Sequence, residues 1–365
     1  VNVVRPFSID PDIRKASTLP AWVYSDPAVF ERAKDRIFAR TWQLVADTDA
    51  VKVPGQTFPF TLLEGCLDEP LLLTRDRDDS IHCLSNVCTH RGNPVVEHAG
   101  VETVLRCRYH GRRFQLDGRF HSMPEFEETQ GFPTSSDDLP RVAFDMWGKL
   151  IFASLSPAHD LDALLGAMRD RCGFLPVGDA VLDPSRSRDY LVGANWALYC
   201  DNYLEGFHIP FVHAALSSAL DYGAYRTVLF GLSSLQIGIA SGAEDVFDLP
   251  AGHPDRGQRI AAYYWWLFPN TMLNFYPWGI SVNVVRPLAP DRTRVSFLSH
   301  VWDPSRVHRG AGAGLDRVER EDEAVVEGVQ RGMRSRLYRR GRYSPTREQG
   351  VHHFHCLLAE WLSEE

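Results

Sequence analysis

At 365 residues the chain is long enough for about two domains of roughly 150 residues each. It is 44% hydrophobic and 24% charged, an ordinary globular balance with ample material for a core. The formal charge of −8 argues against nucleic acid as a partner, and the densest basic run, Arg331 to Arg342, is broken by Gly332, Met333, Leu337 and Tyr338.

No stretch approaches the ~18 consecutive apolar residues of a membrane span. The opening VNVVRPFSID lacks the basic-then-apolar layout of a signal peptide, so a cytoplasmic location is expected. Seven cysteines without an export signal argue against a disulfide framework. Cys66, Cys83, Cys172, Cys200 and Cys356 are expected to be buried thiols.

Three blocks follow in chain order. Residues 1–45 form a helical arm, with Asp26-Pro27 as cap and first position of a helix through Phe30, Ala33, Ile37 and Phe38. Residues 46–155 form an all-β module in which TFPFTLL, PLLLTRD, SIHCLSN and KLIFASL are short strands between turn residues. Residues 156–365 form a larger domain that alternates helices with aromatic strands such as YYWWLF (263–268) and ISVNVVRP (280–287). The fold class is therefore α+β. Residues 231–258, rich in Gly, Ser, Ala and Asp, are expected to be a mobile loop.

Chemistry concentrates in two places. The first is CTHRGNPVVEHAGVETVLRCRYH (88–110), where Cys88-x-His90 and Cys107-x-x-His110 are separated by sixteen residues. Two Cys and two His also build structural zinc sites, but those usually order the ligands as a Cys pair and then a His pair. Here each arm mixes the two, as a Rieske [2Fe–2S] cluster requires: two Cys on one iron, two His on the other. Gly92, Pro94 and Gly111 supply tight loop backbone around them.

The second place is DNYLEGFHIPFVH (201–213). On a helix, Asp201, Glu205 and His208 share one polar face, and Pro210 is expected to end it and turn His213 toward the same point. Asp201 and Glu205 are the candidate catalytic carboxylates. Two His need one more carboxylate to hold an oxygen-activating Fe(II) with open positions. In the helical stretch 315–338, Asp322 falls at the centre of the apolar stripe, with Glu319 near its edge as a reserve. A carboxylate there is costly unless it is paired or binds a metal. The aromatic strands then supply a pocket wall, for which Trp265, Phe275 and Trp278 are candidates together with Asn202.

The segment from Phe58 through Ser85-Asn86-Val87-Cys88-Thr89-His90-Arg91-Gly92 to Cys107-Arg108-Tyr109-His110-Gly111 resembles the Rieske family, departing from the common CxYHGW pattern where Arg112 replaces Trp. From ASTLPAWVYSDPAVFERAKDRIFARTWQ to VQRGMRS and GVHHFH, the chain resembles the α-subunits of Rieske-type non-haem iron oxygenases, nearest the choline, carnitine and glycine-betaine monooxygenase branch. The resemblance implies a Rieske domain ahead of a helix-grip (START/SRPBCC-like) domain with an antiparallel sheet, in a head-to-tail trimer. It makes His208, His213 and Asp322 iron ligands, and Glu205 a bridge between His208 and the partner subunit's His110. It implies O₂ as cosubstrate and electrons from an NAD(P)H-dependent reductase, directly or through a ferredoxin.

The expected activity is monooxygenation of a quaternary-ammonium-like compound. Dihydroxylation of an aromatic ring is the alternative within the class, and an electron carrier or ligand-binding protein without catalytic iron is the alternative outside it. The run His352-His353-Phe354-His355 is expected to serve packing or the surface.

Overall fold

A computed structural model describes residues 5–213, 220–242, 244–312 and 315–363. The chain divides into two compact units: Trp42–Pro157, and Val1–Thr41 together with Ala158–Glu365.

The Trp42–Pro157 unit is all β. Its strands are β1 (Gln43–Asp47), β2 (Gln56–Leu62), β3 (Glu69–Arg75), β4 (Ile81–Ser85), β5 (Gly100–Val101), β6 (Leu105–Arg106), β7 (Arg113–Phe114), β8 (Phe120–Ser122), β9 (Ala143–Trp147) and β10 (Leu150–Ser154). They form three small antiparallel sheets ordered β1-β10-β9, β4-β3-β2-β5 and β6-β7-β8. The β3–β4 turn is set by Asp76, whose Oδ1 accepts from the N–H groups of Asp78 and Ser80 at 2.9 Å each. Leu72, Leu84, Leu105, Phe114, Leu116 and Leu139 close a core that also contains the side chains of Cys88 and Cys107.

In the second unit Asp26 caps α1 (Pro27–Ala33) by accepting from the Ala28 N–H at 2.9 Å, and a π-helical turn at Lys34–Phe38 continues it. After α2 (Leu161–Cys172) come β11 (Val181–Leu182), β12 (Arg188–Val192), α3 (Trp196–Tyr203) and α4 (Ile209–Val212). Then follow β13 (Arg226–Leu229), β14 (Ser233–Ile239), β15 (Ile260–Leu267), β16 (Thr271–Tyr276), β17 (Gly279–Ala289) and β18 (Arg292–Val301), and finally α5 (Leu315–Met333) and α6 (Gln349–Ser363). The strands make one antiparallel sheet, β13-β14-β15-β16-β17-β18, with β11 and β12 both pairing the outer edge of β18.

An edge-to-face run of rings joins arm, helices and sheet: Phe38 on Trp196, Trp196 on Phe354, Phe354 on Trp266, with centroids 4.9, 5.7 and 5.1 Å apart. The histidine run belongs to this interior: His352 and His355 are buried on α6. No helix among the described residues is long and apolar enough to cross a membrane.

Residues 231–258 are not one loop. Ser233–Ile239 is β14, inside the sheet between β13 and β15. Its Leu235 and Ile237 alternate in polarity with Ser234 and Gln236 while all four are buried, so a strand covered on both faces overrides the small-residue composition. The following loop is anchored by Asp255, 1% exposed, which accepts from Arg171 (2.7 Å), Arg226 (2.7 Å) and the Tyr263 hydroxyl (2.8 Å). Removing a buried carboxylate that ties together donors from three elements leaves the buried Tyr263 hydroxyl and two arginines without it. Asp255→Ala is expected to destabilise this unit by about 3 kcal/mol, read as a lowered midpoint in urea unfolding.

Candidate metal centres

The two ligand loops of the β unit share one hydrogen-bond plan. The Cys88 N–H donates to the Asn93 carbonyl and the Cys88 carbonyl accepts from Gly92; the Cys107 N–H donates to the Arg112 carbonyl and the Cys107 carbonyl accepts from Gly111. Both glycines sit at positive φ, +73° and +76°, where a side chain is strained. Cys88 and Cys107 are buried in the leucine core, whereas His90 and His110 are half-buried, with ring centroids 4.8 Å apart. Burial, with the neighbouring Cys107, pushes the Cys88 thiol above its ordinary pKa. A metal that deprotonates the thiols removes that penalty.

A single tetrahedral zinc would bring all four donor atoms within about 4 Å of one another. Among the described residues the one set of three or more donors gathered that tightly is elsewhere. The loops instead offer a thiol pair facing inward and an imidazole pair facing outward. That division fits two irons rather than one ion.

The tight set is His208, His213 and Asp322, with one donor atom from each within 4.8 Å of the others. Asp322 Oδ1 lies 2.9 Å from His213 Nε2 and 3.5 Å from His208 Nε2. Behind each imidazole stands a carboxylate. Glu205 Oε1 takes His208 Nδ1 at 2.6 Å, and Glu321 Oε2 takes His213 Nδ1 at 2.8 Å. Each pairing puts the ring proton on Nδ1 and leaves Nε2 free for a metal. Asn202 Nδ2 donates to Asp322 Oδ1 at 2.7 Å.

The local chain explains the convergence, and differs from the expected single helix. Asn195 caps α3, its side chain accepting from Ala197, and α3 ends at Tyr203. Glu205 therefore sits in the connection after α3, where its Oε2 accepts from the Phe207 and His208 N–H groups. Pro210 does not end a helix; it lies in the first turn of α4, where a missing N–H costs nothing. Helix α5 is clamped to the start of α3 by Gln330, whose Oε1 accepts from the Asn195 N–H at 2.7 Å. That clamp presents Asp322 to Asn202 and the two histidines.

Asp201 does not join the centre. It accepts from Tyr24 (2.7 Å) and pairs with His355 Nε2 (2.8 Å), since a residue four before Glu205 shares its face only if the helix continues. Glu319 stays off the triad and accepts from the Tyr199 hydroxyl at 2.8 Å.

A cavity opens on the triad, lined by Asn202, Glu205, Val318 and Glu319 on one side and by sheet residues on the other. The sheet row facing it is Gln236, Tyr264 and Asn274, opposite one another on β14, β15 and β16. Trp265, Phe275 and Trp278 do not line it. Trp265 and Phe275 have the opposite strand parity and pack on the far face, and Trp278 stacks beneath Tyr276 with centroids 5.4 Å apart. Tyr199, Tyr203, Tyr225, Tyr264 and Tyr276 supply the aromatic wall instead. Burial raises all five phenols above their usual pKa, so they stay neutral.

A β unit with a cluster-type ligand set and a helix-and-sheet unit with a two-His, one-Asp triad define a Rieske oxygenase. Residues 41–133 match the Rieske [2Fe-2S] domain, and residues 179–364 match the ring hydroxylating alpha subunit (catalytic domain). The chain belongs to the ring-hydroxylating α-subunit family, and is an oxidoreductase that uses a Rieske cluster, a mononuclear iron and O₂. It is 33% identical to the chloroplastic choline monooxygenase of Arabidopsis thaliana, over 98% of this chain and 86% of that protein. It is 27% identical to the carnitine monooxygenase oxygenase subunit of Escherichia coli (strain K12), over 98% and 97%. Its fold matches a solved quaternary ammonium Rieske monooxygenase, described as giving insight into carnitine oxidation and inter-subunit electron transfer. That match has a TM-score of 0.79 at 23% identity and covers 98% of this chain and 100% of that one.

The sequence pattern missed Glu321, whose place on α5 suggested a solvated charge. Burial tends to lower the His213 pKa, but Asp322 and Glu321 together hold it above the ordinary 6.5. In metal-free protein a bound proton then competes with metal. Affinity for a divalent ion is expected to be flat above that raised pKa and to fall about tenfold per pH unit below it. Glu321→Ala is expected to move the break to lower pH and to weaken binding at high pH by about 10–100-fold, both read by metal titration.

Proposed function

We propose that this chain is the terminal oxygenase component of a monooxygenase acting on a small quaternary ammonium compound. His208, His213 and Asp322 would hold the mononuclear iron; Cys88, His90, Cys107 and His110 would hold the cluster. The observation that carries this reading is the triad opening directly onto a cavity walled by five neutral phenols. Bound iron would supply activation of O₂ at the substrate.

A quaternary ammonium cannot donate a conventional hydrogen bond, so its recognition depends on π faces and nearby negative charge. Aromatic faces contribute about 0.5–2 kcal/mol each by cation–π attraction. Tyr199, Tyr203, Tyr225, Tyr264 and Tyr276 provide the faces, and Glu319 at the cavity wall provides the charge. The names of the choline and carnitine relatives support the same substrate class. A flat apolar ring fits less well, because Gln236, Asn274 and Asn283 make part of the wall polar and the buried Gln236 Oε1 lacks a partner among the described residues. An electron carrier without catalytic iron has no use for a triad aimed into a cavity.

Glu205 fixes the His208 ring, and the segment that carries both exposes two rings nearby, Phe207 at 41% and Phe211 at 80%. In the other unit the exposed ring of Tyr109 lies 3.7 Å, centroid to centroid, from that of the cluster ligand His110. These surfaces support docking of a partner subunit's cluster face beside Glu205, in a homotrimer. The carboxylate would accept hydrogen bonds from His208 and from the partner subunit's His110, shortening the electron route. Electrons would come from an NAD(P)H-dependent reductase, directly or through a ferredoxin.

Three tests follow the residues. Asp322→Ala is expected to lower iron from about three to about two per chain with the cluster's EPR signal intact; unchanged iron would remove Asp322 from the ligand set. Glu205→Gln is expected to keep both iron sites filled but cut turnover by at least about 100-fold, on the scale of a lost positioning contact. A panel of quaternary amines and aromatic acids, followed by coupled O₂ and NADH consumption with product analysis, is expected to give turnover with the amines alone. Coupled oxidation of the aromatic acids would reverse the substrate assignment.

A further inference from the structure

The residue after Gly111 is Arg112, and its side chain is 2% exposed. The guanidinium carbon lies 5.5, 5.1 and 5.5 Å from the ring centroids of Phe114, Phe120 and Phe132. Its Nη2 donates to Asp137 Oδ1 at 2.8 Å and to the Asp137 carbonyl at 2.9 Å. The same carbonyl accepts from the Thr89 hydroxyl at 2.8 Å. One carbonyl oxygen thus receives a side chain from each ligand loop, Thr89 beside Cys88 and His90, Arg112 beside His110. The buried Nε of Arg112 has no acceptor among the described residues.

Packing alone would be served by a neutral aromatic side chain between three phenylalanines. A guanidinium keeps its charge throughout the working pH range. Burial works against ionisation of Asp137, but the Thr134 N–H and Arg112 hold its carboxyl below the usual range. The pair is therefore a fixed cation and a fixed anion. The guanidinium is on the ligand-loop side of the pair: it meets the same carbonyl as Thr89, whereas Asp137 Oδ2 accepts from the exposed Thr134 N–H at 2.7 Å.

We propose that Arg112 is a positioning residue that sets the reduction potential of the cluster, holding it above the value a neutral side chain would give, with Asp137 offsetting part of that effect. One-electron reduction adds one negative charge to the cluster. A buried cation beside it favours the reduced state, because a low-dielectric interior screens the attraction weakly. Net charge and burial are among the protein's levers on such potentials, and this chain uses a side chain that ligates nothing.

The inference rests on the four-ligand cluster assignment, and the test separates the two. Purified holo-protein is titrated electrochemically, with the cluster followed by EPR and visible circular dichroism, for the parent, Arg112→Met, Arg112→Lys and Asp137→Asn. Absence of a Rieske spectrum in the parent overturns the assignment, and the inference with it. With that spectrum present, Arg112→Met is expected to shift the midpoint to more negative values, Asp137→Asn to more positive values, and Arg112→Lys to stay near the parent. A loosened loop would move the Met and Asn variants in the same direction, and that result overturns the proposal, as does an unshifted Arg112→Met. If Arg112→Met fails to assemble a cluster, Asp137→Asn decides: a positive shift upholds the proposal, and no shift or a negative one overturns it.

Discussion

The catalytic unit is organised around one costly placement, a carboxylate in the middle of an apolar helix face. Asp322 is offset by partners on three sides: Asn202 from α3, His213 after α4, and His208 before it. Each comes from a different local structure, so satisfying one buried charge fixes two helices and a connection relative to one another. The clamp between Gln330 and the Asn195 N–H holds that geometry from the other end. The cavity exists because the same elements leave space between Asp322 and the sheet row of Gln236, Tyr264 and Asn274.

Carboxylates do different work at different depths of the site. Asp322 faces the donor point, Glu205 and Glu321 stand behind the rings, and Glu319 is engaged by Tyr199. The outer pair decides which ring nitrogen carries the proton, and so which nitrogen a metal meets. The β unit solves a related problem with backbone instead. Its two ligand loops repeat one pattern of N–H and carbonyl pairing, closed in each by a glycine whose positive φ would strain a side chain.

What the sequence disclosed follows from how local each signal was. The Cys-His arms lie within short loops, and His208 and His213 flank the single turn of α4, so position along the chain nearly equals position in space. Asp322 was legible because helical periodicity makes a misplaced charge visible against Val318, Val325 and Val326. Glu321 was not, since the same periodicity labels it a surface residue until His213 is known to reach it. The pocket wall was hidden for another reason. Tyr264 and Trp265 are neighbours of similar type on one strand, and register alone decides which faces the triad's cavity and which the far layer. Helix α3 ended earlier than expected because Leu204 to Phe207 turn to let Glu205 cap its own connection. β14 was masked by serines and a glycine whose alternation mattered more than their size.

The inward direction of Cys88 and Cys107 ties cofactor maturation to the physics of compaction. Both sulfurs occupy the same core as Leu72, Leu84 and Phe114, so iron–sulfur insertion and hydrophobic closure are competing claims on one volume. A chain that collapses first hides its thiols from any donor of iron and sulfide.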